Sequence, residues 1–353
     1  MQQKGFTKKP SAEERKIINT IMVKTEELNQ NNVTRTKAYL DFYLRHPEIH
    51  WAFLAHMVSR NGGWSMTDLK GELLSRLLSR KEKQSYFSFL ERGNWLIFQD
   101  AFPQLLLYEE SIKRKEPLFS LLRYFNVSFF METIWDYCWR TPDSAILTTA
   151  LIINEQNYIE KRVIQNQTFI KEVFKTLEFE LQELLSLNHI LFPYIDYGIL
   201  KLAGQAVNQF ESLPERIRLG KRLYTILFEK DLLIKAVEWA KEHTHTGSRM
   251  DYWPHIFSHV NEGIPSLQYK KKLKTCKLRA GARRIYSPSL KNAWKNVEHE
   301  DAGHNEWFSD FRILDYLKDK EEPLIGNIEY DYCQALEKLE MAAFTKKVLS
   351  ILD

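Results

Sequence analysis

His46 to Trp64 reads HPEIHWAFLAHMVSRNGGW. Pro47 suits the first turn of a helix, where the N–H it lacks would have no intrahelical acceptor. Ile49, Trp51, Phe53, Leu54, Met57 and Val58 then fall on nearly every side of a 3.6-residue repeat. Such a distribution predicts a buried helix from Pro47 to about Arg60. Asn61-Gly62-Gly63 supplies its stop, since glycine accepts positive φ freely. A helix apolar all round must be surrounded by others, so this stretch predicts a helical core.

The flanking sequence agrees. Ser11 and Glu14 form a capping-box pattern ahead of Ile17, Ile18, Ile21, Met22 and Leu28. Asn31 to Thr36 is a polar break, and a second helix is predicted from Thr36 to about Arg45. Ser65 and Asp68 pattern as another capping box, opening a helix to about Leu78. Tyr86 to Trp139 holds 15 aromatics in 54 residues, with Pro103 and Pro117 read as early-turn prolines of short helices. Thr141-Pro142-Asp143 starts a helix running through Ile153. Further helices are predicted over Thr168–Leu187, after Ser212, over Asp231–Glu242 and over Asn327–Leu352. No segment alternates apolar and polar residues for long. The expected fold is all-α: an irregular multi-helix bundle with an aromatic-rich core and little or no β. The helical pattern lapses at His243–Ser248. It suggests a helical core domain over 1–245 and a helical C-terminal region over 246–353, unless the two are continuous.

With 44% hydrophobic and 27% charged residues among 353, the composition is that of a globular protein. Cys138, Cys276 and Cys333 are far apart, odd in number and without CxxC spacing. The count argues against a disulfide framework or structural zinc and for a reducing compartment. The first residues lack the apolar core of a secretory signal. The longest uncharged apolar run, Ser144–Ile153, is too short to span a bilayer. A cytoplasmic protein without a transmembrane segment is expected. There is no GxGxxG, P-loop or GxSxG. Cys138, between Trp135, Tyr137 and Trp139, reads as a buried thiol.

The helix around Trp51 also carries polar groups that need partners. His46, Glu48, His50, His56, Arg60, Asn61 and Asp68 lie on or beside an apolar helix. Burying them unpaired would cost several kcal/mol. Either they line the pocket of an enzyme or small-molecule binder, or each is tied to a carbonyl or carboxylate and orders the core. Asp100 and Gln104 in the aromatic segment could line the same pocket or serve as caps, since Asp100 precedes a proline-containing turn.

Asn32 to Gly71, NVTRTKAYLDFYLRHPEIHWAFLAHMVSRNGGWSMTDLKG, and Trp95 to Ser111, WLIFQDAFPQLLLYEES, resemble the YppC-like proteins of Bacillus and its relatives. The likeness extends over most of the chain. It implies a cytoplasmic bacterial protein containing a domain of unknown function. It brings no activity and no catalytic residues.

Formal net charge is +4, but residues 263–297 contain no Asp or Glu and ten Lys or Arg, leaving a net −6 elsewhere. Lys270, Lys271, Lys272, Lys274, Lys277, Arg279, Arg283 and Arg284 are interspersed with Tyr269, Tyr286 and, further on, Trp294. Cations neutralise phosphates and aromatics stack on bases. The stretch therefore suggests docking of nucleic acid, another polyanion or an acidic protein. The alternative is a solvated basic surface balanced by the acidic remainder. No DNA-reading motif is present.

His255 and His259 stand four apart and would share a face on a helix. His299-Glu300-Asp301-Ala302-Gly303-His304 resembles, over six residues, the HExxGH zinc motif of dipeptidyl-peptidase-III-type metallopeptidases. The resemblance implies two histidine ligands and a water-activating Glu300. Glu321-Glu322-Pro323 departs from that family's second motif, and Gly303 also reads as a plain helix end. No cofactor is therefore predicted, with zinc kept as a minor alternative. The leading expectation is an interaction or scaffold protein with a basic docking surface.

Overall fold

Ser11 starts α1 (Ala12–Leu28) with the expected reciprocal bonds: its Oγ accepts from Glu14 N–H at 3.1 Å, and the Glu14 carboxylate accepts from Ser11 N–H at 2.6 Å. The computed structural model describes residues 9–174, 189–207, 209–262, 269–303, 306–318 and 328–349. Helix α2 (Asn32–Tyr43) begins earlier than predicted because Asn31 is the cap, its Oδ1 accepting from Val33 and Thr34 N–H.

Helix α3 (His50–Asp68) differs from the expectation at both ends. Pro47 and Glu48 lie in the turn before it. Asn61-Gly62-Gly63 does not stop it, because neither glycine adopts positive φ. What needs glycine here is space. A Cβ on Gly63 would sit 2.3 Å from Asn32 Oδ1 and 2.5 Å from His245 Nε2. Ser65 and Asp68 therefore belong to the last turn of α3, and only a single turn, α4 (Leu74–Leu77), follows.

Most of the aromatic segment forms α5 (Arg80–Arg114), opened by a capping box of Ser79 and Glu82. Pro103 lies inside this helix rather than at the start of a short one. Pro117 precedes a 3₁₀ turn at Phe119–Phe125. Then come α6 (Phe129–Arg140) and α7 (Ser144–Ile159), the latter starting after Thr141-Pro142-Asp143 as predicted, with Asp143 as its cap, and running past the expected end at Ile153. Of the helix expected over Thr168–Leu187, the described part is short α- and π-helical turns; residues 175–187 lie outside the described residues.

A hairpin follows that the sequence reading lacked. Strands β1 (His189–Asp196) and β2 (Ile199–Ala206) pair antiparallel from His189↔Ala206 to Asp196↔Ile199. Tyr197 and Gly198 turn between them with φ of 48° and 76°, the doubly positive geometry suited to tight hairpins. The hairpin packs against α3, α8 (Leu213–Leu227) and α9 (Lys230–Glu242). Covered faces favour apolar side chains at successive positions, so no alternation betrayed the strands. Two smaller pairs complete the β content: β3 (Phe257–Ser258) parallel to β6 (Ile285–Tyr286), and β4 (Leu273–Lys274) antiparallel to β5 (Lys277–Leu278). The last helix is α10 (Glu329–Leu349). The protein is thus mainly helical, with three two-stranded sheets added among the described residues.

One buried apolar cluster includes side chains from Ile17 on α1 to Ala343 on α10, with Trp51, Trp64, Trp135 and Trp239 fully enclosed. Cys276, in the β4–β5 turn, is disulfide-bonded to Cys333 on α10, while Cys138 is free and buried. This corrects the expectation from the odd count: the fold brings together two cysteines separated by 57 positions. Among the described residues no helix is long and apolar enough to cross a membrane.

Candidate functional site

The polar residues on and around α3 are held by separate partners. His46 stands between Glu48 and Glu109, each 3.4 Å from one ring nitrogen. Glu48 accepts from the Tyr108 hydroxyl at 2.9 Å. His50 Nδ1 meets the Tyr224 hydroxyl at 2.8 Å, and its ring stacks on Phe228; burial lowers its pKa.

His56 is fully buried. Its Nδ1–H donates to Thr36 O at 2.8 Å, and its Nε2 accepts from Arg60 Nε at 3.0 Å. These partners fix the neutral tautomer. Burial, reinforced by the Arg60 charge, holds its pKa well below the usual imidazole value. Arg60 lies over Trp239 and donates to the carbonyls of Ala240 and His243; burial lowers its pKa to about 10. The Asn61 amide donates to Leu191 O at 2.9 Å and accepts from Leu191 N–H at 2.8 Å.

Asp68 pairs with Arg249, a residue sequence reasoning missed. Arg249 Nη1 donates to the hydroxyls of Tyr252 and Tyr332 at 2.7 and 2.8 Å. Nearby, His245 Nε2 donates to Asn32 Oδ1 at 2.9 Å, while Asn32 Nδ2 donates to Ser59 O. None of these long-range partners has a local sequence signal, since they come from the irregular 243–262 segment or α10.

The second polar interior is centred on Asp100, which is 2% exposed. Its Oδ2 accepts from Gln104 Nε2 at 2.9 Å and from Asn154 Nδ2, while its Oδ1 has no partner. Burial pushes its pKa up to about 7. Glu155 accepts from Trp51 Nε1 at 3.2 Å, and burial raises it to about 7 as well. The carboxyl in the run Phe98-Gln99-Asp100-Ala101-Phe102 was the only available clue.

The basic stretch divides in two. Lys272 is tied to Glu72 and Arg284 to Glu262, each at 2.7 Å. Lys270, Lys274 and Lys277 are exposed, with no ion pair among the described residues; Lys271 is half-buried. Arg279 and Arg283 are exposed and donate to the carbonyls of Leu273 and Glu262. The hairpin carrying these cations is anchored from beneath. Glu340, fully buried on α10, accepts from Tyr269 OH, Lys272 N–H and Leu273 N–H at 2.8, 2.6 and 3.0 Å. Two of the three expected base-stacking aromatics are occupied, while Tyr286 is half-buried. Trp294 lies between Phe87, with ring centroids 4.0 Å apart, and Lys70 at 4.3 Å. Tyr269 is buried, with Arg76 over its ring.

His255 and His259 do not lie on a helix, so their four-residue spacing does not align them; His259 Nδ1 faces Met250 Sδ. His299 and Glu300 lie in an irregular segment rather than the helix an HExxGH site requires. His299 faces Glu91 at 3.6 Å, and His304 lies outside the described residues. No group of three or more His, Cys, Asp or Glu side chains suited to a metal occurs among the described residues.

The family model "Protein of unknown function (DUF2515)" matches residues 27–329. The chain belongs to this family. A relative from Bacillus subtilis (strain 168), "Uncharacterized protein YppC", is 45% identical over 240 residues, covering 67% of this chain and 73% of its own length. No solved structure matches. The DUF2515 match spans α2 to the start of α10, and so includes α3, Arg249, Asp100 and the basic hairpin, but not Tyr332 or Glu340.

Proposed function

We propose that this protein is an interaction module whose β4–β5 hairpin docks a polyanion by neutralising its phosphates. The observation that carries this reading is the anchoring. Glu340 bonds and the Cys276–Cys333 bridge fix the hairpin to α10, while Lys270, Lys274 and Lys277 remain exposed without acidic partners among the described residues. Rigid placement lowers the ordering cost of binding, and the acids that reach the stretch, Glu72, Glu262, Glu337 and Glu340, bond Lys272, Arg284 and main-chain N–H groups rather than Lys270, Lys274 or Lys277. With Trp294 and Tyr269 occupied, the hairpin meets the backbone of nucleic acid, independent of base sequence. A pocket reading is less well supported, because His46, His50 and His56 already use ring nitrogens on protein partners. A cytoplasmic location, where nucleic acid is abundant, is part of the same proposal; in a reducing cytosol the bridge opens and the Glu340 bonds alone hold the hairpin.

The test is titration of a fluorescent duplex oligonucleotide at several salt concentrations. Binding should weaken linearly in log–log form. Replacing Lys270, Lys274 and Lys277 by Gln should reduce the slope by roughly one for each phosphate no longer neutralised. No binding at low salt, or an unchanged slope in the triple variant, overturns the reading.

A further inference from the structure

Helix α10 grips the β4–β5 hairpin with one stripe of side chains. Cys333, Glu337 and Glu340 follow at four- and three-residue steps, which share a helix face. Glu340 holds the base of the hairpin through Lys272 and Leu273 N–H, where Arg279 N–H also donates to Lys272 O at 2.7 Å. Glu337 accepts from Cys276 N–H at 2.9 Å, and Cys333 is bonded to the Cys276 sulfur. The base is thus held by a carboxylate alone, and the tip by a carboxylate and a disulfide.

The tip needs both. Thr275 and Cys276 form the two-residue turn, with φ of 47° and 59°. Tight hairpins favour that geometry, but its usual occupants are Asn, Asp and Gly. A β-branched threonine at positive φ is strongly disfavoured. Lys274 and Lys277 are direct cross-strand partners, and like charges so placed repel. Each strand is only two residues long, so little strand pairing opposes either effect.

We propose that Cys276 and Cys333 form a reversible thiol–disulfide switch that sets the conformation of this turn, and with it the spacing of Lys274 and Lys277. The consequence for docking rests on the polyanion reading above. With the bridge closed, the turn stays left-handed and presents the two lysines at one fixed separation. With the bridge reduced, the turn relaxes and Cys276 N–H leaves Glu337, while Glu340 retains the base.

The chemistry is exchange with a dithiol. A thiolate of the dithiol attacks the sulfur of Cys276, the half-buried member of the pair, and the Cys333 thiolate leaves and takes up a proton. The second thiol of the reagent then displaces Cys276, which is protonated in turn. Two electrons and two protons pass to the protein and the dithiol becomes a disulfide; the reverse exchange rebuilds the bridge. The third cysteine, Cys138, is buried on α6, so no exposed thiol intercepts the exchange. Once freed, Lys274 and Lys277 must be ordered again on meeting a polyanion. Reduction should therefore weaken docking by roughly three- to tenfold, with the number of phosphates neutralised, and so the salt slope, unchanged.

The experiment compares the full chain equilibrated with reduced or with oxidised dithiothreitol. Alkylation and mass spectrometry map the thiols, and NMR reads amide exchange residue by residue. Cys276 and Cys333 should be alkylated together and only after reduction, with Cys138 protected in both states. On reduction the Cys276 and Lys277 amides should exchange about tenfold faster or more, whereas those of Lys272, Leu273 and Arg279 keep their protection. Thr275→Asn tolerates the left-handed turn and should keep the Cys276 amide protected after reduction. The Cys276→Ser/Cys333→Ser variant should match reduced wild type under both conditions. Equal Cys276 protection in the two states overturns the switch, as does loss of protection at Lys272 and Leu273, or a Cys276 thiol that stays free with the oxidised reagent. These readouts use no polyanion, so they decide the switch whatever becomes of docking. Titrating both forms with duplex oligonucleotide tests its consequence. Equal affinities overturn the control of docking, whereas no binding by either form counts against the docking reading alone.

Discussion

Arg249 and Asp68 join the irregular 243–262 segment to the end of α3 in a two-pronged ion pair, Nε and Nη2 of Arg249 lying 2.8 and 2.7 Å from Asp68 Oδ2. Both side chains are largely removed from solvent, at 4% and 12% side-chain exposure. The pair extends through Arg249 Nη1 to Tyr252 and Tyr332, tying in α10.

Removing one member should strand the other. Arg249→Met or Asp68→Asn is expected to lower unfolding free energy by about 3–5 kcal/mol, the usual cost of breaking a buried pair. Urea denaturation measures it. A double Arg249→Met/Asp68→Asn variant should lose less than the two single losses added together. Single losses under about 1 kcal/mol would show that the pair is not a structural joint.

The adjacent glycines of α3 should respond differently to alanine. Gly63→Ala puts a methyl against Asn32 Oδ1 and His245 Nε2 and should cost about 1–3 kcal/mol. Gly62→Ala meets the Asn94 amide at 3.2 Å, the end of a side chain able to shift, so helix propensity should make it neutral or stabilising by up to about 1 kcal/mol. Thermal melts of both variants distinguish them; equal effects would refute the close-approach account.

The Cys276–Cys333 bridge closes a loop across 57 positions. Reduction, or replacement of both cysteines by Ser, is expected to lower stability on the order of 2–4 kcal/mol through the gain in unfolded-chain entropy. Denaturation with and without reductant tests this, and mass spectrometry of unreduced peptides checks the pairing. The Glu340 bonds should keep the hairpin in place afterwards.

The helices were legible where local chemistry governs them. Ser11 and Asp143 caps and the all-round apolar surface of α3 appear in the sequence as they do in the structure. Gly62-Gly63 misled because a glycine required by packing carries the same letter as one required by a turn. The β1–β2 hairpin was hidden because its middle, Leu191–Pro193 and Leu202–Gly204, is buried at successive positions, on both faces. At the candidate site, the polar residues of α3 were visible, but their partners were not. Arg249, Asn154 and Glu340 become neighbours of Asp68, Asp100 and the basic hairpin only through tertiary folding. Trp294 and Tyr269 were conspicuous as aromatics, yet nothing local showed that Phe87, Lys70 and Arg76 already cover them.

Asn61 presents its amide to the main chain of Leu191 as another strand would, donating to the carbonyl and accepting from the N–H. A two-stranded hairpin has open margins, and an open margin invites a foreign strand to add itself. By occupying the Leu191 N–H and C=O from within α3, this side chain leaves no strand-pairing position open at that residue.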